Sequence, residues 1–283
     1  MTTEAAAGSS VEKGEFVNVR GFQTHIHTAG TGAPIVLIHG SGPGVTAWAN
    51  WRSTLPFLAS KGFHVYAYDI LGFGYTERKP GERYHYRDWV DQLIAVIEDV
   101  VGEPAMLLGN SLGGALSLRV ASERPDLVRR MALMGSGGLE FKMSPSLEAI
   151  WGYTPSIENM HAMIAEHFAY DPALATRDLV RMRYEASMQP GFQESYAALF
   201  PAPREPWIAK LSTPEDDIRK ITAPTLLFHG REDKVVPLSV SYRLLELIAD
   251  AQLHVFGKCG HWTQVERAAE FNALAALFFE GGR

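Results

Sequence analysis

The sequence predicts an α/β protein: a mostly parallel sheet with helices on both faces, interrupted late in the chain by a helical insertion. Three observations carry that expectation. Up to about residue 138, short apolar runs alternate with stretches of helical spacing, the pattern of parallel strands joined by helical crossovers. The alternation stops between about Leu139 and Leu211, where helix-like pieces are separated by Pro145, Pro155, Pro172, Pro190, Pro201, Pro203 and Pro206. It then resumes until near the C-terminus.

Taken in order, residues 1–14 are small and polar and read as a frayed tail. Phe16–Arg20 and Phe22–Thr28 are strand-like and meet at Gly21, as a hairpin would. The apolar run Pro34–Ile38 is a buried strand ending in His39-Gly40-Ser41-Gly42-Pro43-Gly44. Ala47–Ser60 has helical spacing, with Trp48, Trp51, Leu55 and Leu58 on one side. Then follow strand His64–Tyr68, helix Trp89–Val101, strand Pro104–Leu108, helix Leu112–Ser122 and strand Met131–Met134. Beyond the insertion come strand Thr225–His229, helix Leu238–Ala249, strand Gln252–Phe256 and helix Gln264–Phe279. No Gly/Ser-rich linker flanks residues 139–211. That segment is therefore expected to be a cap (lid) over a core made of residues 15–138 and 212–283, not an independently linked domain.

Composition narrows the function. A chain that is 46% hydrophobic and 20% charged is an ordinary globule, and a formal net charge of −6 suits no general polyanion binder, so nucleic acid is not an expected partner. The single cysteine, Cys259, leaves no intrachain disulfide framework. Met1–Ser10 lacks the apolar stretch of a signal peptide, and no run approaches the ~20 apolar residues of a membrane span, so a cytoplasmic location without membrane contact is expected.

Gly109-Asn110-Ser111-Leu112-Gly113 fits the G-x-S-x-G pattern, and its setting gives it weight. It follows a strand directly and precedes a helix rich in small residues, and the flanking glycines permit the tight turn that lifts a serine hydroxyl off the sheet edge. The bland reading is a glycine-flanked turn. A serine nucleophile needs a base and the base needs an orienting acid, in the chain order Ser, acid, His. Asp233, four residues past one strand, and His261, five residues past the next, satisfy that order; Glu232 rivals Asp233. His254 sits in a strand and reads as structural. Donors for an oxyanion are expected from the N–H of Leu112, at the start of a helix, and from the glycine-rich loop after Ile38. That loop lacks the following Gly-Lys-Ser/Thr of a phosphate cradle. His25 and His27 share one strand face, but no third metal ligand accompanies them, and a solvated face is the expectation. Cys259 lacks a helper of its own. Arg181 and Arg183 lie in the insertion, either as solvated surface charges or as an anion site.

Over nearly its full length the chain resembles the meta-cleavage product hydrolases of the α/β-hydrolase fold. The resemblance rests on His39-Gly40-Ser41-Gly42-Pro43-Gly44, Trp48-Ala49-Asn50, Gly109-Asn110-Ser111-Leu112-Gly113-Gly114, Arg183-Tyr184-Glu185-Ala186 and Cys259-Gly260-His261-Trp262. Trp151-Gly152-Tyr153-Thr154-Pro155, Phe200-Pro201-Ala202-Pro203-Arg204 and His229-Gly230-Arg231-Glu232-Asp233 look most like the branch acting on 2-hydroxymuconate semialdehyde. It implies Ser111, Asp233 and His261 as catalytic triad, and Ser41, Gly42 and Leu112 as oxyanion hole. It also implies Asn50, Asn110, Arg183 and Trp262 as contacts to a small dienoate substrate. Many members carry glycine where Ser41 stands. The resemblance further implies carbon–carbon bond hydrolysis without metal or organic cofactor, and a homo-oligomer. Val235 and Val236, just past Asp233, are expected to border the acyl pocket without offering a ring to stack on. The rival readings are a carboxylesterase of the same fold and, from another class, a ligand receptor with a vestigial triad; the carboxylate clamp disfavours the first and the intact oxyanion loop the second.

Overall fold

Arg20 and Gly21, at φ 47° and 97°, make the two-residue turn of the first hairpin, because positive φ at both central positions matches the twist of the strands they join. The computed structural model describes residues 14–79 and 84–282, so nearly all of the expected N-terminal tail lies outside the described residues. The hairpin strands are β1 (Glu15–Val19) and β2 (Phe22–Ala29). After β3 (Ala33–Ile38), the stretch expected as one helix forms two, α1 (Ala47–Trp51) and α2 (Thr54–Ser60). Pro56 explains the break. A continuous helix would set its ring against the Arg52 carbonyl, whereas in a helix restarted at Ser53 it falls in the first turn, where no N–H is needed.

Strand β4 (Phe63–Tyr68) leads to α3 (Tyr86–Ala95). That helix starts three residues earlier than expected, because the Asp88 carboxylate accepts the His85 N–H at 2.8 Å and caps it. Its last turn widens into a π-helical turn, Val96–Val101, stopped by Gly102 at φ 77°. Then come β5 (Ala105–Asn110), α4 (Leu112–Glu123) and β6 (Val128–Met134). The segment between β6 and β7 holds α5 (Pro145–Trp151), α6 (Ile157–Ala162), α7 (Arg177–Ser187), α8 (Phe192–Leu199) and α9 (Pro206–Leu211), and α10 (Glu215–Ile218) follows. The chain ends with β7 (Thr225–Gly230), α11 (Leu238–Leu247), β8 (Ala251–Phe256), α12 (Thr263–Glu266) and α13 (Ala268–Phe279). The expected single C-terminal helix is therefore split at Arg267, whose φ of −128° is not helical and whose guanidinium is turned back onto the Gly257 carbonyl at 2.6 Å.

The eight strands form one sheet in the order β1-β2-β4-β3-β5-β6-β7-β8, antiparallel at β1/β2 and β2/β4 and parallel from β4 through β8. Side chains alternate between its faces. Ile35, Leu37, Met106 and Leu108 pack with Trp51, Leu58 and Phe271 on one side, while Val36, Ile38, Leu107 and Leu133 pack with Leu93, Leu116 and the insertion on the other. The chain reverses its winding between β3 and β5, which are parallel neighbours pairing Ile38 with Gly109. The crevice beyond the C-terminal ends of such a pair is where open α/β sheets hold ligands. Among the described residues, no helix is long and apolar enough to cross a membrane.

Candidate active site

The turn after β5 places Ser111 at φ 54° and ψ −109°, a conformation a non-glycine residue holds at a cost of about 1–3 kcal/mol. Its neighbours explain how the turn closes. A Cβ on Gly109 would lie 2.5 Å from the Gly113 carbonyl oxygen, and one on Gly113 would lie 2.2 Å from that of Ile38. The Ser111 N–H donates to the Met134 carbonyl at 2.9 Å, tying the elbow to β6. Leu112, the first residue of α4, presents an N–H that has no intrahelical acceptor at that position.

The base and acid arrive on the neighbouring strands β7 and β8. His261 Nδ1 donates to Asp233 Oδ2 at 2.7 Å, which leaves Nε2 as the acceptor. Asp233 Oδ1 accepts the N–H groups of Val235 and Val236 at 2.7 and 3.0 Å. Burial works against ionising this carboxyl, yet the His261 charge and hydrogen bond, His229 and the Val235 amide hold it below the usual carboxylate range. His229, absent from the expected site, has its Nε2 3.0 Å from the Val236 carbonyl oxygen and 3.4 Å from Asp233 Oδ2, and its Nδ1 meets Ser241 Oγ at 2.7 Å. Gly135, at φ 49° after β6, leaves room for the pair: a Cβ there would sit 3.0 Å from the His261 ring. The rival acid, Glu232, is turned away, accepting the Cys259 N–H at 3.0 Å and pairing with Arg231. Cys259 is buried, and burial pushes its thiol up, away from thiolate character.

Across the crevice, His39 is wholly buried and fixes the glycine-rich loop. Its Nδ1–H donates to the Gly40 carbonyl at 2.7 Å and its Nε2 accepts the Ile70 N–H at 2.9 Å, so the ring is neutral; burial lowers its pKa. Ser111 stands between two compartments. One carries the polar groups, with Gly40, Ser41, Gly42, Asn50, Asn110, Arg183 and His261 on its wall and Val45, Leu147, Ile150, Phe168, Val235 and Trp262 as its apolar remainder. The other is apolar, lined by Leu112, Ala115, Phe141, Leu147, Trp151, Ile208, Leu211 and Val236. Arg183 is only 3% exposed; its guanidinium lies 4.9 Å from the Trp262 ring and donates to the Pro43 carbonyl at 2.9 Å. Asn50 Nδ2 is buried without a hydrogen-bond partner, a donor open to a ligand.

All ten residues singled out for this site therefore converge at one place. Of the two arginines left open between surface charge and anion site, Arg181 is solvated and paired with Glu185 at 2.6 Å, whereas Arg183 is buried. Two accompanying expectations are corrected. His25 and His27 are buried rather than solvated, under the rings of Phe16, Tyr75 and Trp48, with His25 Nδ1 3.0 Å from Asp69 Oδ2. Val235 and Val236 part company, Val235 toward the polar compartment and only Val236 toward the apolar one, which also holds the aromatic rings of Phe141 and Trp151. Phe168 was not foreseen: its carbonyl accepts the His261 N–H at 2.8 Å and its ring stacks on Trp262 at 4.4 Å. Nothing local marks it, because its partners lie some ninety residues away. Among the described residues, no group of three or more His, Cys, Asp or Glu could hold a metal ion.

Residues 35–274 match the family model described as the Alpha/beta hydrolase family. The chain is 48% identical over 273 residues to the 2-hydroxymuconate semialdehyde hydrolase of Pseudomonas sp. (strain CF600), covering 96% of each chain. It belongs to the α/β-hydrolase family, among the meta-cleavage product hydrolases. It is also 47% identical over 269 residues to the 2-hydroxy-6-oxo-2,4-heptadienoate hydrolase of Pseudomonas putida F1, covering 95% of this chain and 97% of that one. Among solved structures, the meta-cleavage product hydrolase CumD of Pseudomonas fluorescens IP01, in a complex with acetates, superposes with a TM-score of 0.92 at 49% identity, covering 95% of this hydrolase and 98% of that chain.

Proposed function

We propose that this hydrolase cleaves the C5–C6 bond of 2-hydroxy-6-oxohexa-2,4-dienoates, converting 2-hydroxymuconate semialdehyde to 2-hydroxypenta-2,4-dienoate and formate, with Ser111, His261 and Asp233 as its triad. One observation carries the reading: Ser111 stands at the junction of a polar compartment holding a buried arginine and an apolar compartment. That is the layout a substrate with a carboxylate at one end and an acyl carbon at the other requires. The helical segment 139–211 acts as its cap.

A C–C bond beside a carbonyl breaks heterolytically only if the departing carbon leaves as a stabilised carbanion. With Arg183 gripping the carboxylate and Asn50 and Asn110 the 2-oxygen, the 2-hydroxyl proton passes through His261 Nε2 to C5, giving the 2,6-dioxo tautomer. His261 then takes the Ser111 proton as Oγ attacks C6. The oxyanion that forms is met by N–H groups of Leu112 and the Ser41–Gly42 loop. Collapse breaks C5–C6, and the electron pair runs through C4 and C3 onto the 2-oxygen as a dienolate, which is protonated. Water, activated by His261, attacks the formyl-Ser111 ester and releases formate. Asp233 keeps the imidazole in the tautomer this needs and balances the imidazolium.

Both compartments are tight, with about 10 Å³ on the polar side and about 30 Å³ on the apolar side. The apolar side has fixed walls: Trp151 is stacked on Phe200 at 4.1 Å and hydrogen-bonded to Ser41. Size, not a lack of rings, sets the acyl preference. The test compares kcat/KM for the semialdehyde, its 6-methyl and 6-phenyl ketone analogues, and a neutral ester. The semialdehyde or methyl ketone is expected to exceed the phenyl ketone by at least about tenfold. Phenyl at or above the semialdehyde would refute the size argument. Turnover of the ester alone would replace the proposed activity with that of a carboxylesterase.

A further inference from the structure

Two side chains of the helical insertion grip the same residue of the glycine-rich loop, each by a different atom. Trp151, the last residue of α5, donates its indole N–H to Ser41 Oγ at 2.9 Å. Tyr196, in α8, directs its hydroxyl at the Ser41 carbonyl oxygen at 3.1 Å and shares it with the Ile150 carbonyl at 2.9 Å. The Tyr196 ring is buried, parallel to Phe192 at 5.6 Å and edge-on to Phe73 at 6.3 Å, so its hydroxyl has a fixed position. The loop is confined from the far side as well: a Cβ on Gly42 would lie 3.0 Å from both Arg183 Nη2 and Phe168 Cζ.

The Ser41 carbonyl and the Gly42 N–H belong to one planar trans peptide group, and so point in opposite directions. Turning that plane to swing the N–H elsewhere would carry the carbonyl off the Tyr196 hydroxyl. We infer that Tyr196, with Trp151 beside it, is a positioning residue for acyl transfer at Ser111: by holding the Ser41 carbonyl it aims the Gly42 N–H at the developing oxyanion. The inference rests on the proposed roles of Ser111 and Gly42. It assigns the insertion a part in transition-state stabilisation in addition to covering the substrate.

The test is Tyr196→Phe, which keeps the ring stack and removes one hydroxyl, assayed on the dienoate and on p-nitrophenyl acetate. Hydrolysis of either passes through an oxyanion at the same place. kcat should fall about 10- to 100-fold on both, less than or equal to the loss of a whole donor, with KM within about twofold. Trp151→Phe keeps a ring against Phe200 but loses the N–H, and should lower kcat on both substrates by a smaller factor. Thermal unfolding checks that each variant folds. Wild-type kcat in folded Tyr196→Phe, or a change confined to KM, overturns the inference; if that variant does not fold, wild-type kcat in Trp151→Phe does so. The ester arm keeps the two ideas apart: a wild-type enzyme that cleaves the ester but not the dienoate refutes the proposed function and still measures the effect of Tyr196.

Discussion

At Arg183 burial and charge pull in opposite directions. Taking a guanidinium out of water costs several kcal/mol, and here it is met by the faces of Trp262 and Phe168 and by a main-chain carbonyl. A carboxylate entering the compartment finds a charge that is already desolvated and aimed, so the contact costs little further ordering. Arg183→Gln should raise KM for the dienoate by about 10- to 100-fold and leave the KM for a neutral ester within about twofold; equal losses on both would make Arg183 a packing residue of the insertion. Which arginine matters was only half legible. Residues 181 and 183 lie two apart on a helix, hence on different faces, but which face is covered depends on the loop after β3, about 140 residues away. The resemblance, not the periodicity, singled out Arg183. His25 and His27 teach the same lesson in a strand. A period of two puts them on one face, but nothing within the strand announces that Phe16, Tyr75 and Trp48 will cover it.

At the scale of elements, the strands were legible because a buried parallel strand is a continuous apolar run, while their order in the sheet and the helix breaks that depend on a single distant contact were not. The division at Pro56 follows from a local rule, but the break at Arg267 follows from a hydrogen bond to Gly257 that sequence spacing does not reveal. The C-terminal end of β6 shows how an element with no reacting group still shapes the site. Gly135 combines φ 49° with a vacant Cβ position 3.0 Å from His261 Nδ1 and 3.2 Å from Asp233 Oδ2. Gly135→Ala adds about 1–2 kcal/mol of backbone strain and pushes the imidazole by a few tenths of an ångström. Displacements of that order are costly where proton transfer must be aligned, so kcat should fall about tenfold or more. KM for the dienoate should hold, because the Arg183 compartment is untouched. Wild-type kcat in a folded Gly135→Ala would show that the pair tolerates the intrusion.

Across the whole molecule, three buried histidines tie the site to the stability of the fold. Burial, the largest influence in each case, lowers the pKa of His27, His39 and His229. His39 anchors the oxyanion loop, and protonating its Nε2 would break the hydrogen bond it accepts from the Ile70 N–H; His229 contacts both Asp233 and Val236. The unfolded chain has the ordinary imidazole value of about 6.5 and binds these protons first. The neutral rings therefore contribute stability that is fully present above about pH 6.5 and is lost as pH falls toward their folded values, at up to about 1.4 kcal/mol per pH unit for each. Glu266 runs the other way. Burial raises its pKa although its carboxylate accepts the Tyr170 and Gly260 amides, so its contribution is present at low pH and is lost as pH rises through its folded value. Asp69 and Asp233, both held below the usual carboxylate range against the opposing effect of burial, lose their contribution only at far lower pH. Three imidazoles against one carboxyl set the sign between pH 7.5 and 5.5: the melting temperature should drop by several degrees, and more steeply below pH 6.5 than above it. Thermal unfolding across that range at constant ionic strength is the measurement. A melting temperature at pH 5.5 equal to or above that at pH 7.5 would mean that these rings are not held neutral by the fold, and that the loops they anchor owe their shape to other contacts.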